Sequence, residues 1–522
     1  MRVFNDKLEF DNAKHVDKIE DIPGLRVFAR EQFARGGIDA IAAACKAIGI
    51  TPPKADSSSH VEKGTLPKGV REYQIKGIEW LIGTITKHGA AILADDMGLG
   101  KTLQTMCAVR AMREGRVLVL CPAAALETWR DELFKWGVRK LDTVILSSSS
   151  LKAARAEWER SLSAQWVVCS YDHRMVERCM ELAFQSEMPE FLVLDEAHRL
   201  RGRNSKRSEM LESVRPLVSK VIAITATPQF NRPRDLFQLL RILYGYRFGN
   251  QFEFDKRYSG AHPGKWGGLE YPKHGSFNAD ELKLRLSYYL LRREKRDVAH
   301  ELPPLTFQVR WVDPTSEARK EFLKCQMSIG KGSLHAAVAA TLKGKVQECL
   351  DLAVEARRFV LATWMKTHAR EFHRMLSGEL ETPCVLITGD MPTIERASQI
   401  RLAEAKGWGV VATTDSISES LNLQHVASVG ILHALDWVPL KLAQLFARIH
   451  RLGSVDPVIW YLVAMRETVD QIIMDTQVSK LDQYRNVFGQ KSHREIRHAL
   501  ADEVAIEKAE KEALKLIYEA MK

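Results

Sequence analysis

Short runs of apolar residues alternate with longer amphipathic stretches along most of the chain. Five runs in the first half are continuously apolar, namely Ala90–Ala94, Val117–Cys121, Trp166–Cys169, Phe191–Leu194 and Val221–Ile224. Five more follow in the second half, at Phe359–Ala362, Cys384–Ile387, Gly409–Ala412, Val429–Leu432 and Val458–Val463. Continuous apolar strands separated by helices are typical of parallel sheets that carry helices on both faces. The two sets predict an α/β protein with two tandem lobes.

Changes in composition divide the chain further. The stretch 51–68 is rich in Pro and Ser, as linkers are, and Pro303 and Pro304 end a helical stretch before a new strand-like run. Residues 481–522 are highly charged with scattered apolar positions, which favours a solvated amphipathic helix lying on the second lobe. We therefore predict a small amino-terminal α/β module at 1–50, the linker at 51–68, lobe 1 at 69–245, an inter-lobe loop and brace at 246–304, lobe 2 at 305–480 with a helical insertion at 315–352, and a carboxy-terminal helix at 481–522.

The charge balance fits a polyanionic partner without requiring one. Lys and Arg number 76 against 66 Asp and Glu, a net charge of +10 that a mildly basic enzyme without such a partner also shows. None of the eight cysteines forms a C-x-x-C pair. This favours a reducing intracellular compartment, cytoplasmic in a bacterial or viral host and nuclear in a eukaryote, over a disulfide framework or zinc site. Because no run approaches about 20 apolar residues and the amino terminus lacks an apolar signal segment, no membrane association is expected.

A turn with two glycines follows the first buried strand. It consists of Asp95, Asp96, Met97, Gly98, Leu99, Gly100, Lys101 and Thr102, and a helix is expected to begin at Lys101. Gly98 and Gly100 allow the tight turn in which backbone N–H groups surround a phosphate; the lysine then contacts the β- and γ-phosphates of ATP, and the threonine hydroxyl binds Mg²⁺. Asp95 stands where the usual pattern has its first glycine, so a turn that only caps a helix is the alternative interpretation.

A pair of carboxylates follows another buried strand and favours the nucleotide site. Asp195 and Glu196 come directly after Phe191–Leu194. The carboxyl ends of parallel strands are where α/β sheets bind ligands. Asp195 would hold Mg²⁺, which prefers hard oxygen ligands, and Glu196 would orient and deprotonate the attacking water. The two motifs in this order predict an ATP hydrolase.

In these motifs the chain resembles the SWI/SNF-type DNA translocases of helicase superfamily two, and the resemblance extends from about residue 69 to about residue 470. Four further segments carry the resemblance: Val70–Gln74 with Gly77 and Trp80, Leu120–Ala123 with Trp129 and Glu132, Cys169–Asp172, and Thr225–Pro228. Leu291–Arg293, Lys295, Asp297 and Leu302–Pro304 resemble the brace between the lobes. The resemblance implies RecA-like lobes in which Gln74 reads the adenine base, while Thr225 and Thr227 couple hydrolysis to lobe movement.

The segment Gln444–Gly453 resembles the arginine-finger helix of that family. The resemblance implies that Gln444 belongs to the nucleotide site and that Arg448 and Arg451 act on the phosphates. At spacing i and i+3 the two arginines would share one helical face, where a salt-bridged surface pair is the alternative. His450 is interpreted as a residue of the helix face. The chain departs from the family pattern at Glu419, Ser420 and Ser454.

The same resemblance implies a DNA surface. Its expected members are Pro122, Ala123, Ser170, Thr413 and Thr414. They would contact phosphates through backbone N–H groups and hydroxyls, so that binding to duplex or branched DNA is independent of sequence and sensitive to salt.

Within the family the chain resembles the compact annealing-helicase subgroup, and the stretch from Phe10 to Arg26 resembles the substrate-recognition module of that subgroup. A packing domain against lobe 1 is the equal alternative for this module. The implied activity is that of a monomeric, DNA-stimulated ATPase that translocates on duplex DNA and remodels forks or branches. Two alternatives stay open: a motor that displaces a bound protein such as polymerase, and a non-catalytic nucleic-acid-binding scaffold.

Overall fold

The computed structural model describes residues 2–3, 7–9, 16–19, 21–23, 25–28, 33–36, 38–47, 59–61, 66–112, 115–147, 151–161, 163–171, 189–200, 205–226, 233–264, 269–272, 277–298, 302–314, 341–418, 421–434, 439–451, 454–466, 468 and 470. The chain divides into two compact units between Glu294 and Lys295. Each unit contains one parallel sheet with helices, which confirms the predicted α/β architecture with two lobes.

The first unit begins with a small module built on an antiparallel sheet. Its elements are β1 (Arg2–Val3), β2 (Lys7–Glu9), α1 (Val16–Ile19), β3 (Leu25–Phe28), β4 (Phe33–Gly36) and α2 (Ile38–Ala47). The strands lie in the order β1-β2-β4-β3. Leu8, Ala34 and Ile41 are fully buried in one apolar cluster, so one face of the sheet packs against α2. The described residues of this segment thus form a folded α/β element with its own apolar core.

The rest of the first unit is a seven-stranded parallel sheet in the order β13-β5-β10-β9-β6-β8-β7. Its strands are β5 (Ala90–Leu93), β6 (Val117–Cys121), β7 (Thr143–Leu146), β8 (Trp166–Ser170), β9 (Phe191–Asp195), β10 (Lys220–Ile224) and β13 (Leu290–Leu291). Its helices are α3 (Glu72–His88), α4 (Lys101–Ala111), α5 (Leu126–Lys135), α6 (Leu151–Ser161), α7 (Lys206–Val214), α8 (Arg234–Tyr244), α9 (Gln251–Ser259) and α10 (Ala279–Leu286). A hairpin of β11 (His262–Pro263) and β12 (Leu269–Glu270) stands apart from this sheet.

Successive residues of one strand lie in different apolar clusters of this unit. Ala90 and Ile92 belong to one cluster, whereas Ala91 and Leu93 belong to another. Since successive side chains of a strand point to opposite faces, both faces of the sheet are covered. This two-sided burial is why the five predicted strands of lobe 1 are continuously apolar, and all five are confirmed.

The second unit contains a six-stranded parallel sheet in the order β14-β19-β18-β15-β17-β16. Its strands are β14 (Leu305–Val312), β15 (Phe359–Thr363), β16 (Cys384–Ile387), β17 (Gly409–Thr413), β18 (Val429–Leu432) and β19 (Val458–Met465). Its helices are α11 (Lys295–Val298), α12 (Val346–Ala356), α13 (Lys366–Arg374), α14 (Thr393–Lys406), α15 (Thr414–Ser418) and α16 (Pro439–Phe446). Val360 and Leu361 again lie in different apolar clusters, so this sheet is also covered on both faces.

The segment assigned from the sequence to an inter-lobe connection differs in the structure. Its described residues between 246 and 294 fold with the first unit, where β13 adds an edge strand next to β5. The aromatic residues Phe248, Phe254, Tyr258 and Tyr289 are fully buried in the core of that unit. Burying so much aromatic surface favours a folded position over an irregular loop.

The described part of the linker also packs on the first unit. The backbone N–H of Ser59 donates to the carbonyl of Glu79 at 3.2 Å, and that of Val61 donates to the Glu79 carboxylate at 3.2 Å. Residues 51–58 and 62–65 of the linker, 315–340 of the insertion and the carboxy-terminal helix at 481–522 lie outside the described residues.

Within the described part of the chain, no helix has the length and apolar character needed to cross a bilayer. The cysteines that the structure describes are buried and form no disulfide with one another: Cys45, Cys107, Cys121, Cys169, Cys349 and Cys384.

Candidate nucleotide and nucleic-acid site

The turn between β5 and α4 has the backbone geometry of a phosphate loop. Gly98 and Gly100 adopt left-handed conformations, with φ of +82° and +75°, and α4 begins at Lys101 as predicted. A Cβ atom at Gly100 would lie 2.4 Å from Nε2 of Gln74, so only glycine fits there. Leu99 is fully buried, which fixes the centre of the loop against the lobe.

Lys101 closes this loop on itself. Its Nζ donates to the carbonyl oxygens of Asp95 at 2.8 Å and Asp96 at 3.1 Å. Burial lowers the pKa of the Lys101 ammonium, while the charges of Glu196 and Asp95 act in the opposite direction. The cation therefore lies inside the loop, with Thr102 next to it in the first turn of α4.

Gln74 lies behind the phosphate loop. Its Nε2 donates to the carbonyl of Leu99 at 3.2 Å, and its Oε1 accepts from the backbone N–H of Arg71 at 3.0 Å. The hydroxyl of Tyr73 donates to the same Leu99 carbonyl at 3.2 Å. Reading of an adenine by Gln74 stays a prediction, because the described contacts of this side chain are to the loop and to its own helix.

The two acidic residues at the end of β9 are held by different partners. The Asp195 carboxylate accepts from the indole N–H of Trp129 at 2.8 Å and from the backbone N–H of Glu196 at 2.9 Å. The pKa of Asp195 is raised to about 6, mainly by burial and secondly by the charge of Glu196. The Trp129 hydrogen bond acts in the opposite direction. Glu196 has a left-handed backbone with φ of +48°, which is unusual for a residue with a side chain.

His198 connects Glu196 to the predicted coupling segment. Its Nδ1 lies 3.2 Å from Oε2 of Glu196 and 3.3 Å from Oγ1 of Thr225. Thr225 is fully buried at the end of β10. Thr227, the other predicted coupling residue, lies outside the described residues.

The predicted DNA contacts of lobe 1 lie at the same edge of the sheet as the carboxylates. Cys121 and Ser170 are paired residues of neighbouring strands, and the N–H of Tyr171 donates to the Cys121 carbonyl at 3.0 Å. Pro122 follows directly and is buried, whereas Ala123 is exposed. Since β6 lies between β8 and β9, these residues are two strands or fewer from Asp195.

In the second unit, the predicted DNA contacts Thr413 and Thr414 are both buried. The hydroxyl of Thr414 donates to the carbonyl of Thr363 at 3.0 Å, which joins the ends of neighbouring strands. The hydroxyl thus has a partner inside the lobe, and a phosphate contact by either threonine stays a prediction.

The arginine-finger prediction is wrong in its secondary structure. Gln444 is buried in α16, but that helix ends at Phe446, so Arg448 and Arg451 lie in the turns that follow and not on one helical face. The Arg448 carbonyl accepts from the N–H of Leu423 at 3.1 Å. Ile449 is fully buried in the lobe core, and its burial together with this long-range bond draws the chain out of the helix.

Both arginines contact one short segment of the lobe. Nη1 of Arg448 donates to the Leu421 carbonyl at 3.4 Å, and Arg451 donates to the side chain of Asn422. Ser454, which departs from the family pattern, accepts from the N–H of Arg451 at 3.1 Å and so stabilises the turn. The other two departures, Glu419 and Ser420, lie outside the described residues.

Comparison with known proteins decides the family. The SNF2-related domain matches residues 73–367, more than half of the chain, and the helicase conserved C-terminal domain matches residues 344–453. The chain belongs to the SNF2-related family. Its enzyme class is accordingly that of the helicase-type ATP hydrolases, as the phosphate loop and Asp195–Glu196 predict.

Relatives of the SNF2-related chain include proteins named for two different tasks. The human SWI/SNF-related matrix-associated actin-dependent regulator of chromatin subfamily A member 1 is 26% identical over 475 residues, which are 81% of this chain and 44% of the relative. The subfamily A-like protein 1 of Drosophila melanogaster is 25% identical over 420 residues, 76% of this chain and 53% of the relative. The DNA annealing helicase and endonuclease ZRANB3 of Bos taurus is 25% identical over 435 residues, 78% of this chain and 40% of the relative.

The SNF2-related chain spans about half, or less, of the length of these relatives. Among solved structures, the Sulfolobus solfataricus SWI2/SNF2 ATPase core in complex with dsDNA is 20% identical, with a TM-score of 0.42, and covers 87% of this chain and 98% of that one.

Three contacts of this SNF2-related site could not be predicted from the residues alone. Arg292 and Arg293 were expected in a brace between the lobes, yet in the structure they bond to the phosphate loop: Arg292 to Asp96 at 3.0 Å and Arg293 to Asp95 at 3.0 Å. Trp129 belongs to a sequence motif that by itself implies no role for the indole, yet it bonds to Asp195. The sequence shows these side chains but does not identify the distant partners that they contact in the fold.

Proposed function

We propose that this chain is a DNA-stimulated ATPase that translocates on duplex DNA and remodels forked or branched DNA. The observation that carries the proposal is the hydrogen bond between Trp129 and Asp195. Trp129 lies on α5, which follows the predicted DNA-facing residues Pro122 and Ala123, and Asp195 is the predicted metal ligand. One bond thus joins the predicted DNA surface to the predicted hydrolytic site.

The donor set at this edge fits Mg²⁺ bound together with ATP. Thr102 and Asp195 supply the hard oxygen ligands that Mg²⁺ prefers, and the ion would neutralise phosphate charge there. Lys101 would contact the β- and γ-phosphates in place of the loop carbonyls that it now bonds. Glu196 would orient the attacking water and accept its proton, and His198 would hold the Glu196 carboxylate for that task.

The second unit would supply the cations that stabilise the transferring phosphoryl group. Arg448 and Arg451 are the candidates, since a guanidinium offers fixed donors that match phosphate oxygens. Binding of nucleotide would change the positions of Asp195, Glu196 and Thr225. Trp129, which bonds to Asp195, would transmit that change to the DNA surface. Contacts to DNA are expected at Pro122, Ala123 and Ser170. The backbone N–H of Ala123 and the hydroxyl of Ser170 are the expected donors, because Pro122 has no N–H, and such phosphate contacts are independent of sequence.

Forked or branched DNA is proposed as the substrate because the relatives include a protein named as a DNA annealing helicase, and because the amino-terminal module is folded against lobe 1. The chain is proposed to act as a monomeric intracellular motor.

The experiment measures ATP turnover by the wild-type chain without DNA and with single-stranded, duplex, forked and four-way DNA. We expect duplex-containing DNA to stimulate turnover, with Lys101→Ala and Glu196→Gln inactive in every condition. Arg448→Ala and Arg451→Ala should lose turnover while retaining DNA binding. A wild-type chain that hydrolyses no more ATP than Glu196→Gln contradicts the motor and favours a binding scaffold. Stimulation by single-stranded DNA alone contradicts translocation on a duplex.

A further inference from the structure

The carboxylate of Asp95 points to protein groups and not to the interior of the phosphate loop. It is completely buried, and Arg293 donates to it from Nε at 3.0 Å, from Nη2, and from its backbone N–H at 3.1 Å. Nε2 of Gln104 donates to the same carboxylate at 3.2 Å. The residue that replaces the first glycine of the loop is therefore one half of a bidentate ion pair, a geometry that fixes both partners.

The other groups of Arg293 reach the surroundings of the loop. Its guanidinium also donates to Oε1 of Gln104 and to the carbonyl of Tyr73, and its own carbonyl accepts from the N–H of Asp96 at 3.0 Å. β5 pairs with β13, and just beyond it the N–H of Ala94 donates to the Leu291 carbonyl at 2.7 Å. The bond between Asp96 and Arg293 extends this pairing into the phosphate loop.

The space around the guanidinium is shaped for it. Gly77 of α3 faces the pair, and a Cβ atom there would lie 2.0 Å from Oε1 of Gln104 and 2.6 Å from Nη2 of Arg293. Such distances are far inside van der Waals contact, so no residue with a side chain fits at position 77 while Arg293 and Gln104 keep their positions.

The position of Arg293 in the chain gives the pair its importance. Asp95 uses its backbone carbonyl to bind Nζ of Lys101 at 2.8 Å, so its carboxylate and its carbonyl connect Arg293 to the lysine of the loop. Arg293 also stands two residues before Lys295, where the second unit begins. The last strand of the first unit and the phosphate loop therefore share one ion pair.

We propose that Arg293 is a positioning residue for nucleotide binding, which acts through Asp95 to hold the phosphate loop and Lys101 in their binding geometry. This inference rests on the proposed nucleotide site, but it concerns binding alone and needs neither hydrolysis nor DNA. A loop without the pair has freedom to move away from the position that phosphates require, so the affinity for nucleotide falls while the fold persists.

The test measures the dissociation constant of a fluorescent ADP analogue with Mg²⁺, without DNA, for the full chain. Arg293→Lys keeps the charge but loses the forked geometry, and Asp95→Asn keeps the shape but loses the charge. Each is expected to weaken binding by about tenfold, as removal of a positioning partner commonly does. The double variant Asp95→Asn with Arg293→Met leaves no unpaired buried charge. It should therefore bind the ADP analogue at least as tightly as the single variant that has the lower affinity.

A second buried ion pair in the same unit provides a matched control. Arg285 donates to Asp39 at 2.8 and 2.6 Å, and both side chains are fully buried. Arg285→Lys should lower the midpoint of thermal unfolding without changing nucleotide affinity. Wild-type affinity in Arg293→Lys and Asp95→Asn, or an equal loss of affinity in Arg285→Lys, would overturn the proposal. A wild-type chain that binds ADP but does not hydrolyse ATP contradicts the proposed function and leaves this inference standing.

Discussion

The indole N–H of Trp129 donates a hydrogen bond to the carboxylate of Asp195 across 2.8 Å. Trp129 is almost fully buried, so the bond is formed away from water between α5 and the end of β9. Partners of this kind orient a metal-binding carboxylate and set its charge. The bond joins the helix that follows the predicted DNA contacts Pro122 and Ala123 to the predicted metal ligand.

Replacement of Trp129 by Phe removes the donor and keeps an aromatic ring. We expect the concentration of Mg²⁺ that gives half-maximal ATPase activity to rise by about tenfold, because Asp195 loses the donor that orients it. Titration of Mg²⁺ against turnover, with and without duplex DNA, measures the effect. Trp166→Phe is the control: Trp166 is buried in the same unit, and its indole nitrogen has no hydrogen-bond partner among the described residues. Equal Mg²⁺ requirements in the two variants would refute the role of Trp129.

Replacement of Gly77 by Ala introduces a methyl group where there is no space for it. The new Cβ would lie 2.0 Å from Gln104 Oε1, so Gln104 and Arg293 must move, and both nucleotide affinity and stability should fall. Overpacking of this kind costs about 1–3 kcal/mol of unfolding free energy. Urea unfolding and nucleotide titration check the two effects. Gly378→Ala should change neither, since nothing lies within 4 Å of its Cβ position; unaltered binding in Gly77→Ala would count against the packing argument.

Replacement of Asp39 by Asn breaks the ion pair that joins the amino-terminal module to lobe 1. Asp39 accepts from Arg285 and from the hydroxyl of Tyr289 at 2.6 Å, and neither Asp39 nor Arg285 reaches solvent. Removing one partner of a buried pair leaves an uncompensated charge, which costs about 3–5 kcal/mol. Chemical denaturation followed by tryptophan fluorescence measures the loss. A change below about 1 kcal/mol, the usual value of an exposed ion pair, would show that the joint is not a buried pair in solution.

The pH dependence of stability should contain a contribution from His450. The pKa of His450 is lowered to about 4, mainly by burial and secondly by the charge of Lys295. The hydrogen bond from Nε2 to the Pro303 carbonyl, at 2.8 Å, acts in the opposite direction. The unfolded chain binds a proton near pH 6.5 and the folded chain only near pH 4, so this contribution is present above pH 6.5 and is lost as the pH falls toward 4.

The variant His450→Gln tests that contribution, since the amide keeps a donor for Pro303 and does not titrate. Its unfolding free energy should fall less steeply than that of the wild type between pH 6.5 and 4. Other buried histidines contribute equally to both chains, so the difference between the two curves isolates His450. Parallel curves across this window would contradict the assignment.

The sequence predicted what depends on local pattern. Two-sided burial makes a strand continuously apolar, and for that reason Phe191–Asp195 and its counterparts were recognisable. The weaker strands were not: Thr143–Leu146 lies at an edge with three half-buried residues, and Leu290–Leu291 has only two residues. Their positions depend on neighbours that come from elsewhere in the chain.

The candidate site shows the same division. The start of α4 at Lys101 and the position of Asp195 follow from a strand, a turn and a helix in succession, and they were predicted. The end of α16 before Arg448 was not, because the N–H of Leu423 and the burial of Ile449 compete with helix formation. Asp95 appeared to be a defect in the loop pattern until its partner, 198 positions along the chain, was visible.

The distance in sequence between Asp39 and Arg285 has a consequence for synthesis of the chain. The two residues of the pair are 246 positions apart in the sequence. The edge strand β13 can pair with β5 only after the segments between them have been synthesised. Contacts of such separation form late, and domains complete their folding as units during translation. Ribosome-bound chains stalled before residue 285 should therefore be cleaved by protease within the amino-terminal module, and chains stalled well beyond residue 294 should resist. The amino-terminal module is thus synthesised well before Arg285, the residue on which its stable position depends.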